Sequence, residues 1–290
     1  MTGSMRTQDR WVKILGTGGT LKATALSAKN VVREASQRHK LSGEHAVALG
    51  EALVAALLLA SRQRSGGRIS ISVKGDQILK QVVADGTAEG SVRGFLTCRD
   101  TAAAAVENRG PWGQGLLSVV TLNPGKKEPY VGTIELTTGF LAKDLTVYLT
   151  QSEQIPSAVG LSVNVADNGE ILSAGGFLLE VMPGAQDSDI AAIERNILEM
   201  ETMASQLGRD PNPVLLLSQI FAEQPFTIME EKGVNFLCTC SRNRVQRALT
   251  LLGPTELQDM IEKDHGASVH CDFCNDEYAF TEAELQALFA

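Results

Sequence analysis

Four of the five cysteines fall within the 37 positions from Cys238 to Cys274, as Cys238-Thr-Cys240 and, 30 residues later, Cys271-Asp-Phe-Cys274. Two close thiol pairs of this kind can each grip one edge of a tetrahedral ion, and the chain between them has only to return to the same point. Four thiolates are soft ligands that select zinc or an iron–sulphur centre. The Cys-x-Cys pair is unusual for ferredoxin-type clusters, and the long gap is unusual for a zinc ribbon. Zinc fits better, as one ion per chain in the reduced protein. Four sulphurs complete the shell, so neither His265 nor His270 is expected as a ligand.

The segment carrying these cysteines is short. Residues 231–290 form a stretch of about 60 residues, a size at which a hydrophobic core supplies only a few kcal/mol. A structural thiolate site contributes on the order of 10–16 kcal/mol, so metal binding and folding are expected to be one event there. The bland reading is that the metal merely holds the segment together. A redox role is compatible with the spacing. Disulfides between sequence neighbours would close loops of one and two residues, poor staples of the easily reduced kind.

Upstream, the pattern is that of an ordinary globular chain with 43% apolar and 21% charged residues. Ala46 to Ala60 is strongly apolar but is interrupted by Gly50 and Glu51 and is shorter than the roughly 20 residues that cross a bilayer. It predicts a buried helix, capped by Ser42, and no membrane association. From Arg68 the period changes to two, with Ile69, Ile71 and Val73 alternating with polar residues. Further strands are predicted at Ile78–Ala84, Ser91–Leu96, Leu116–Thr121, Val131–Leu136 and Leu145–Leu149. A hairpin is predicted over Leu161–Ala166, Asp167-Asn168-Gly169 and Ile171 onward. Ala174–Val181 then ends at Met182-Pro183.

Beyond Gly184 the period is helical, with Asp187 or Ser188 as cap and Ile190, Ile193, Ile197, Met200 and Met203 on one face. Pro213–Ala222 predicts a second apolar helix. The fold class is therefore α+β: a large N-terminal domain (1–184) of mainly antiparallel sheet and helices, a helical linker (185–230), and a small C-terminal zinc-binding domain (231–290).

A net charge of −8 opposes phosphate backbones. Arg242, Arg244 and Arg247 suggest the alternative of a zinc-ribbon regulator that binds nucleic acid. From Lys232 onward, however, five basic residues face nine acidic ones, and no nucleic-acid partner is expected. Gly16-Thr17-Gly18-Gly19 lacks the third glycine of a dinucleotide fingerprint, and with no Walker loop or serine elbow the chain is not expected to be an enzyme. Cys98 is expected to be a small buried hydrophobe. Reduced thiols and the lack of a signal pattern point to the cytoplasm. Met1–Ser4 has the look of a cloning remnant, with Met5 as the native start.

The runs Phe236-Leu-Cys238-Thr-Cys240-Ser-Arg242, Leu257-Gln-Asp-Met260 and Val269-His-Cys271-Asp-Phe-Cys274-Asn275 resemble the heat shock protein 33 family of redox-regulated bacterial chaperones. So do Ser152-Glu-Gln-Ile-Pro-Ser157 and Gly175-Gly-Phe-Leu-Leu-Glu-Val-Met-Pro183, which extends the resemblance over the whole chain. It implies an ATP-independent holdase that binds unfolding client proteins under oxidative stress. By the same resemblance, Cys238, Cys240, Cys271 and Cys274 bind zinc when reduced. On oxidation they pair as neighbours, Cys238 with Cys240 and Cys271 with Cys274. Zinc then leaves, the C-terminal domain and the linker it covers melt, and a homodimer forms.

Overall fold

The period change near Ser65–Gly67 divides an apolar helix from a run of strands. The computed structural model describes residues 8–16, 18–100 and 109–288. They form two compact units, one up to Phe236 and one from Leu237.

In chain order the larger unit carries β1 (Arg10–Gly16), β2 (Leu21–Ser27), α1 (Lys29–His39), α2 (Gly43–Ala60), β3 (Arg68–Gly75), β4 (Leu79–Thr87), β5 (Ser91–Cys98), β6 (Gly115–Leu122), β7 (Tyr130–Glu135), α3 (Leu141–Ser152), β8 (Ser157–Val165) and β9 (Ile171–Val181). It continues with α4 (Asp187–Glu199), α5 (Met203–Arg209), α6 (Pro213–Phe221), β10 (Phe226–Gly233) and β11 (Asn235–Phe236). One sheet has the order β10-β1-β2-β9-β8, the other β11-β5-β4-β3-β6-β7. All pairings in them are antiparallel except β11 with β5.

Helix α2 lies against strands of both sheets, which is why it is apolar all round. Leu49, Leu53, Leu57, Leu58 and Leu59 are at most 1% exposed. At roughly 1.5–3 kcal/mol each, they contribute on the order of 10 kcal/mol. Among the described residues it is the one helix long and apolar enough to cross a membrane, and 72% of it is buried in the fold. Close approach of β4 requires Gly86, where a Cβ would come within 2.7 Å of the Ala56 carbonyl oxygen. At the end of α2, Arg62 joins Glu153 (2.7 Å) and Glu180 (2.8 Å).

The middle of the five-stranded sheet is buried on both faces, so β9 reads as an almost continuous apolar run. One face meets α2. On the other, Val12, Ile14, Leu21, Ala23, Ala25, Phe177 and Leu179 pack with Ile193, Leu216, Leu217, Ile220 and Phe221 from α4 and α6. Ile197, Met200 and Met203 pack against this cluster.

Several sequence expectations are corrected. Leu145–Leu149 is the middle of α3, where Leu141, Leu145, Tyr148 and Leu149 recur at helical spacing and are buried. Ser42 occupies the N-cap of α2 but makes no side-chain capping bond. The cap position of α4 is Gln186, with Asp187 in the first turn. The helix stops at Met200, so Met203 belongs to α5 rather than to one continuous face. Residues 226–230, expected as helical linker, belong to β10, because that segment pairs with β1. Cys98, at the end of β5, is exposed rather than buried. Gly18 and Gly19, both at positive φ, turn β1 into β2; Thr17 and Met1 to Met5 lie outside the described residues.

Candidate metal centre

The smaller unit carries α7 (Arg242–Thr250), α8 (Pro254–Asp264), β12 (Gly266–His270), β13 (Glu277–Thr281) and α9 (Glu282–Gln286). Its core is thin: Leu249, Leu257, Ile261, Phe280 and Leu285, flanked by half-buried Val245, Met260, Val269 and Tyr278. Pro254 opens α8 and Thr281 closes a reciprocal capping box with Glu284 ahead of α9, two local signals that fix helix starts.

Strands β12 and β13 form a hairpin in the register Gly266↔Thr281 to His270↔Glu277. The second cysteine pair is its loop. Cys271 N–H donates to the Asp276 carbonyl at 3.0 Å, and Asn275 N–H to the Cys271 carbonyl at 2.7 Å. Asn275 takes the left-handed conformation, φ 59°, which asparagine tolerates. The tight loop thereby brings Cys271 and Cys274 together. The first pair precedes Ser241, the N-cap residue of α7. At a spacing of two in non-helical chain, both thiols can point the same way.

All four Sγ atoms lie within 4.8 Å of one another. The contacts resolved between the pairs are Cys238 to Cys271 at 3.8 Å and Cys240 to Cys274 at 3.2 Å. A tetrahedral ion with bonds of about 2.3 Å requires sulphur–sulphur edges of about 3.8 Å; the Cys238–Cys271 contact already has that length, and the other edges need adjustment by at most about 1 Å. Cys274 is buried and the other three are half-buried. Burial pushes the Cys274 thiol up, and likewise Cys271, where backbone N–H groups of Cys274 and Phe273 act against it. Thiols crowded in this way stay protonated unless a cation compensates them, so the donor set fits a bound metal ion.

His265 is no part of this set. It is exposed, with Nδ1 2.8 Å from Glu282 Oε1. Arg242 pairs with Glu284 at 2.7 Å and stacks over Phe280 at 4.3 Å, and Arg244 donates to Thr239 Oγ1 at 2.9 Å. Arg247 turns back on its own helix, to the Asn243 carbonyl at 3.2 Å. The arginines after Cys240 therefore have partners inside the unit. Sequence reading missed Tyr278, whose hydroxyl donates to Cys240 Sγ at 3.1 Å; a tyrosine four places after a cysteine carries no signal by itself.

Comparison with known proteins gives a consistent answer. The sequence model of the family described as Hsp33 protein matches residues 9–281. A 33 kDa chaperonin of Limosilactobacillus fermentum is 39% identical over 98% of this chain and 99% of its own length. Its counterpart in Levilactobacillus brevis is 37% identical over 97% of each. The crystal structure of a 33 kDa chaperonin, a heat shock protein 33 homolog from Thermotoga maritima, matches with a TM-score of 0.87 at 31% identity over 97% of both chains. With nearly the whole chain and all four clustered cysteines inside the matched span, the chain belongs to the Hsp33 family.

Proposed function

We propose that this chain is an ATP-independent holdase whose client-binding surface is released when its four-cysteine zinc centre is oxidised. The observation that carries the reading is the centre itself: four sulphurs within 4.8 Å of one another, in a unit with a thin core. That spacing leaves room for one ion rather than a multi-iron cluster, and a closed all-sulphur shell favours zinc in a structural role. Bound zinc would supply most of the unit's folding free energy. A thiol-based site of this kind belongs in a reducing compartment, which supports a cytoplasmic location.

Oxidation removes the ligands. For each pair, two thiolates give up two electrons to one peroxide molecule, the S–S bond forms, and the O–O bond breaks to leave two hydroxide ions. We assign the pairs to sequence neighbours, Cys238 with Cys240 and Cys271 with Cys274. The shortest resting contacts run between the two motifs. Once the unit loosens, however, Cys238 and Cys271 are separated by a long flexible loop while the neighbours stay close. Peptide mapping tests this: dominant linkage between the motifs, or to Cys98, overturns the pairing.

The client surface we assign to the apolar face of the five-stranded sheet, beneath α4, α5 and α6. These helices are short, and a cavity of about 150 Å³ lies beneath α4, lined in part by Leu21, Leu179, Ile190, Ile193 and Ile197. The cleft opens to the surface, so the α4 cover is packed less completely than the α2 side of the same sheet. Melting of residues 185–230 with the zinc unit uncovers aliphatic residues and methionines, which adapt to varied unfolded chains. The same face supports self-association into a homodimer.

The deciding experiment measures aggregation of a denatured client with reduced and with peroxide-treated protein, alongside zinc release and hydrogen exchange. Suppression only after oxidation, with about one zinc released per chain and loss of protection over α4 to α6, is expected. Equal suppression by reduced protein sinks the redox switch. Retained protection over α4 to α6 sinks the assignment of the surface.

A further inference from the structure

Besides the sulphur–sulphur contacts, donors of two kinds reach the clustered sulphurs. Cys271 and Cys274 take theirs from backbone N–H groups of their own loop, fixed by the turn. Cys240 takes its donor from a side chain, the Tyr278 hydroxyl, at 3.1 Å. Tyr278 faces Val269 across the hairpin, and its ring packs on the core that contains Phe280 and Leu257. The ring is thus anchored independently of the hydroxyl, and the hydroxyl reaches from the second strand of the hairpin to the first cysteine pair.

The geometry points to Tyr278 as a positioning residue that restrains Cys240 and sets how readily it reacts with an electrophile. The inference rests on the proposed redox function for its physiological meaning. A hydrogen bond to sulphur draws charge from the lone pair that would attack. It also fixes the side-chain rotamer, as outer-shell donors do at metal sites. In the reaction with peroxide, the Cys240 lone pair attacks one oxygen, the O–O bond breaks, hydroxide leaves and the sulphur becomes a sulphenic acid. With the O–H donor in place, that sulphur is the poorer nucleophile. Tyr278 therefore acts as a brake on oxidation at one of the four ligands, without itself binding metal.

The test uses the full-length, reduced, metal-loaded chain and follows iodoacetamide alkylation of each cysteine by mass spectrometry, with exposed Cys98 as internal reference. Tyr278→Phe keeps the ring and removes the donor. A hydrogen bond to a charged group is stronger than one between neutral groups, and only part of it is lost at the transition state. Alkylation of Cys240 should therefore rise about 5- to 10-fold relative to Cys271 and Cys274 in the same molecules. Val269→Ala, which thins the same packing but leaves the hydroxyl, should accelerate the clustered cysteines alike.

Replacement of Tyr278 by 3-fluorotyrosine, whose hydroxyl is a stronger donor, should slow Cys240 selectively, and it keeps the question open to test if Tyr278→Phe fails to fold. In the cobalt-substituted protein, the sulphur-to-cobalt charge-transfer band should shift in Tyr278→Phe and not in Val269→Ala. Uniform acceleration in Tyr278→Phe, no change, or an unmoved cobalt band overturns the assignment. Selective change at Cys240 without redox-dependent suppression of aggregation leaves Tyr278 in place and sinks the proposed switch. The reverse pattern sinks Tyr278 alone.

Discussion

Helix α2 and the helices of the smaller unit show two ways of holding a chain together. α2 places 13 residues in the core between two sheets. α7 and α9 each bury one residue, Leu249 and Leu285, and α8 buries two, Leu257 and Ile261. The larger unit is held by area removed from water, a cohesion spread over many residues. The smaller has little such area, and by the function proposed above it is held where four sulphurs meet, so that its stability can be withdrawn at a single point.

The strongest way to break this comparison is to remove the metal. With a chelator in reducing buffer, the smaller unit should lose amide protection throughout α7, α8 and α9 while strands β3, β4 and β6 keep theirs. The effect is on the order of 10 kcal/mol, since metal affinity is folding free energy in such a unit. Persistent protection of α8 in metal-free protein would show that the thin core suffices. The converse perturbation is Leu57→Ala, which opens a cavity in α2 and should cost about 2–5 kcal/mol in urea unfolding of the larger unit. Metal affinity, measured by competition with a chelator, should stay within about twofold of the unmodified protein.

A third test sharpens the contrast through pH. Burial on α2 pushes the Glu51 carboxyl up to about 7. Its folded pKa exceeds the ordinary value of 4.5, so the stability linked to Glu51 is fully present below about pH 4.5 and is lost as pH rises through 7. At pH 8, Glu51→Gln should stabilise the larger unit by up to about 3 kcal/mol, and the difference between the two proteins should vanish near pH 4. A difference that grows toward acid pH would contradict the burial of this carboxyl. The smallest effect is expected from Thr281→Ala, which removes the capping box of α9 at a cost of about 1 kcal/mol. Under the proposed coupling of folding to metal, that loss should read out as roughly fivefold weaker metal binding rather than as a change in the larger unit.

The cysteine centre was legible in the sequence because metal coordination demands one residue type at fixed positions, whatever surrounds it. Strands β3 to β7 were legible because one face packs on a helix, α2 for β3 to β5 and α3 for β6 and β7, and the alternation survives. Where tertiary partners decide, local pattern failed. Leu145, Val147 and Leu149 alternate as a strand would, yet Leu141 and Tyr148 complete a helical stripe. β10 is polar and half-exposed, carries a bulge in its pairing between Lys13 and Ile14, and takes its partner from the opposite end of the chain. Nothing near Phe226 announces β1. Cys98 was assigned by residue type, whereas its position at the very end of β5 leaves it exposed. Tyr278 was invisible because its role depends on a hairpin register.

The pairing of β10 with β1 also fixes an order of events during synthesis. Trp11 donates to Glu230 across a separation of 219 residues. At about 5–20 residues per second, a ribosome needs roughly 10–45 s to deliver that partner. For that interval β1 has an unsatisfied edge, and such edges recruit other chains. The newborn protein thus passes through the kind of state from which, by the function proposed here, it protects others.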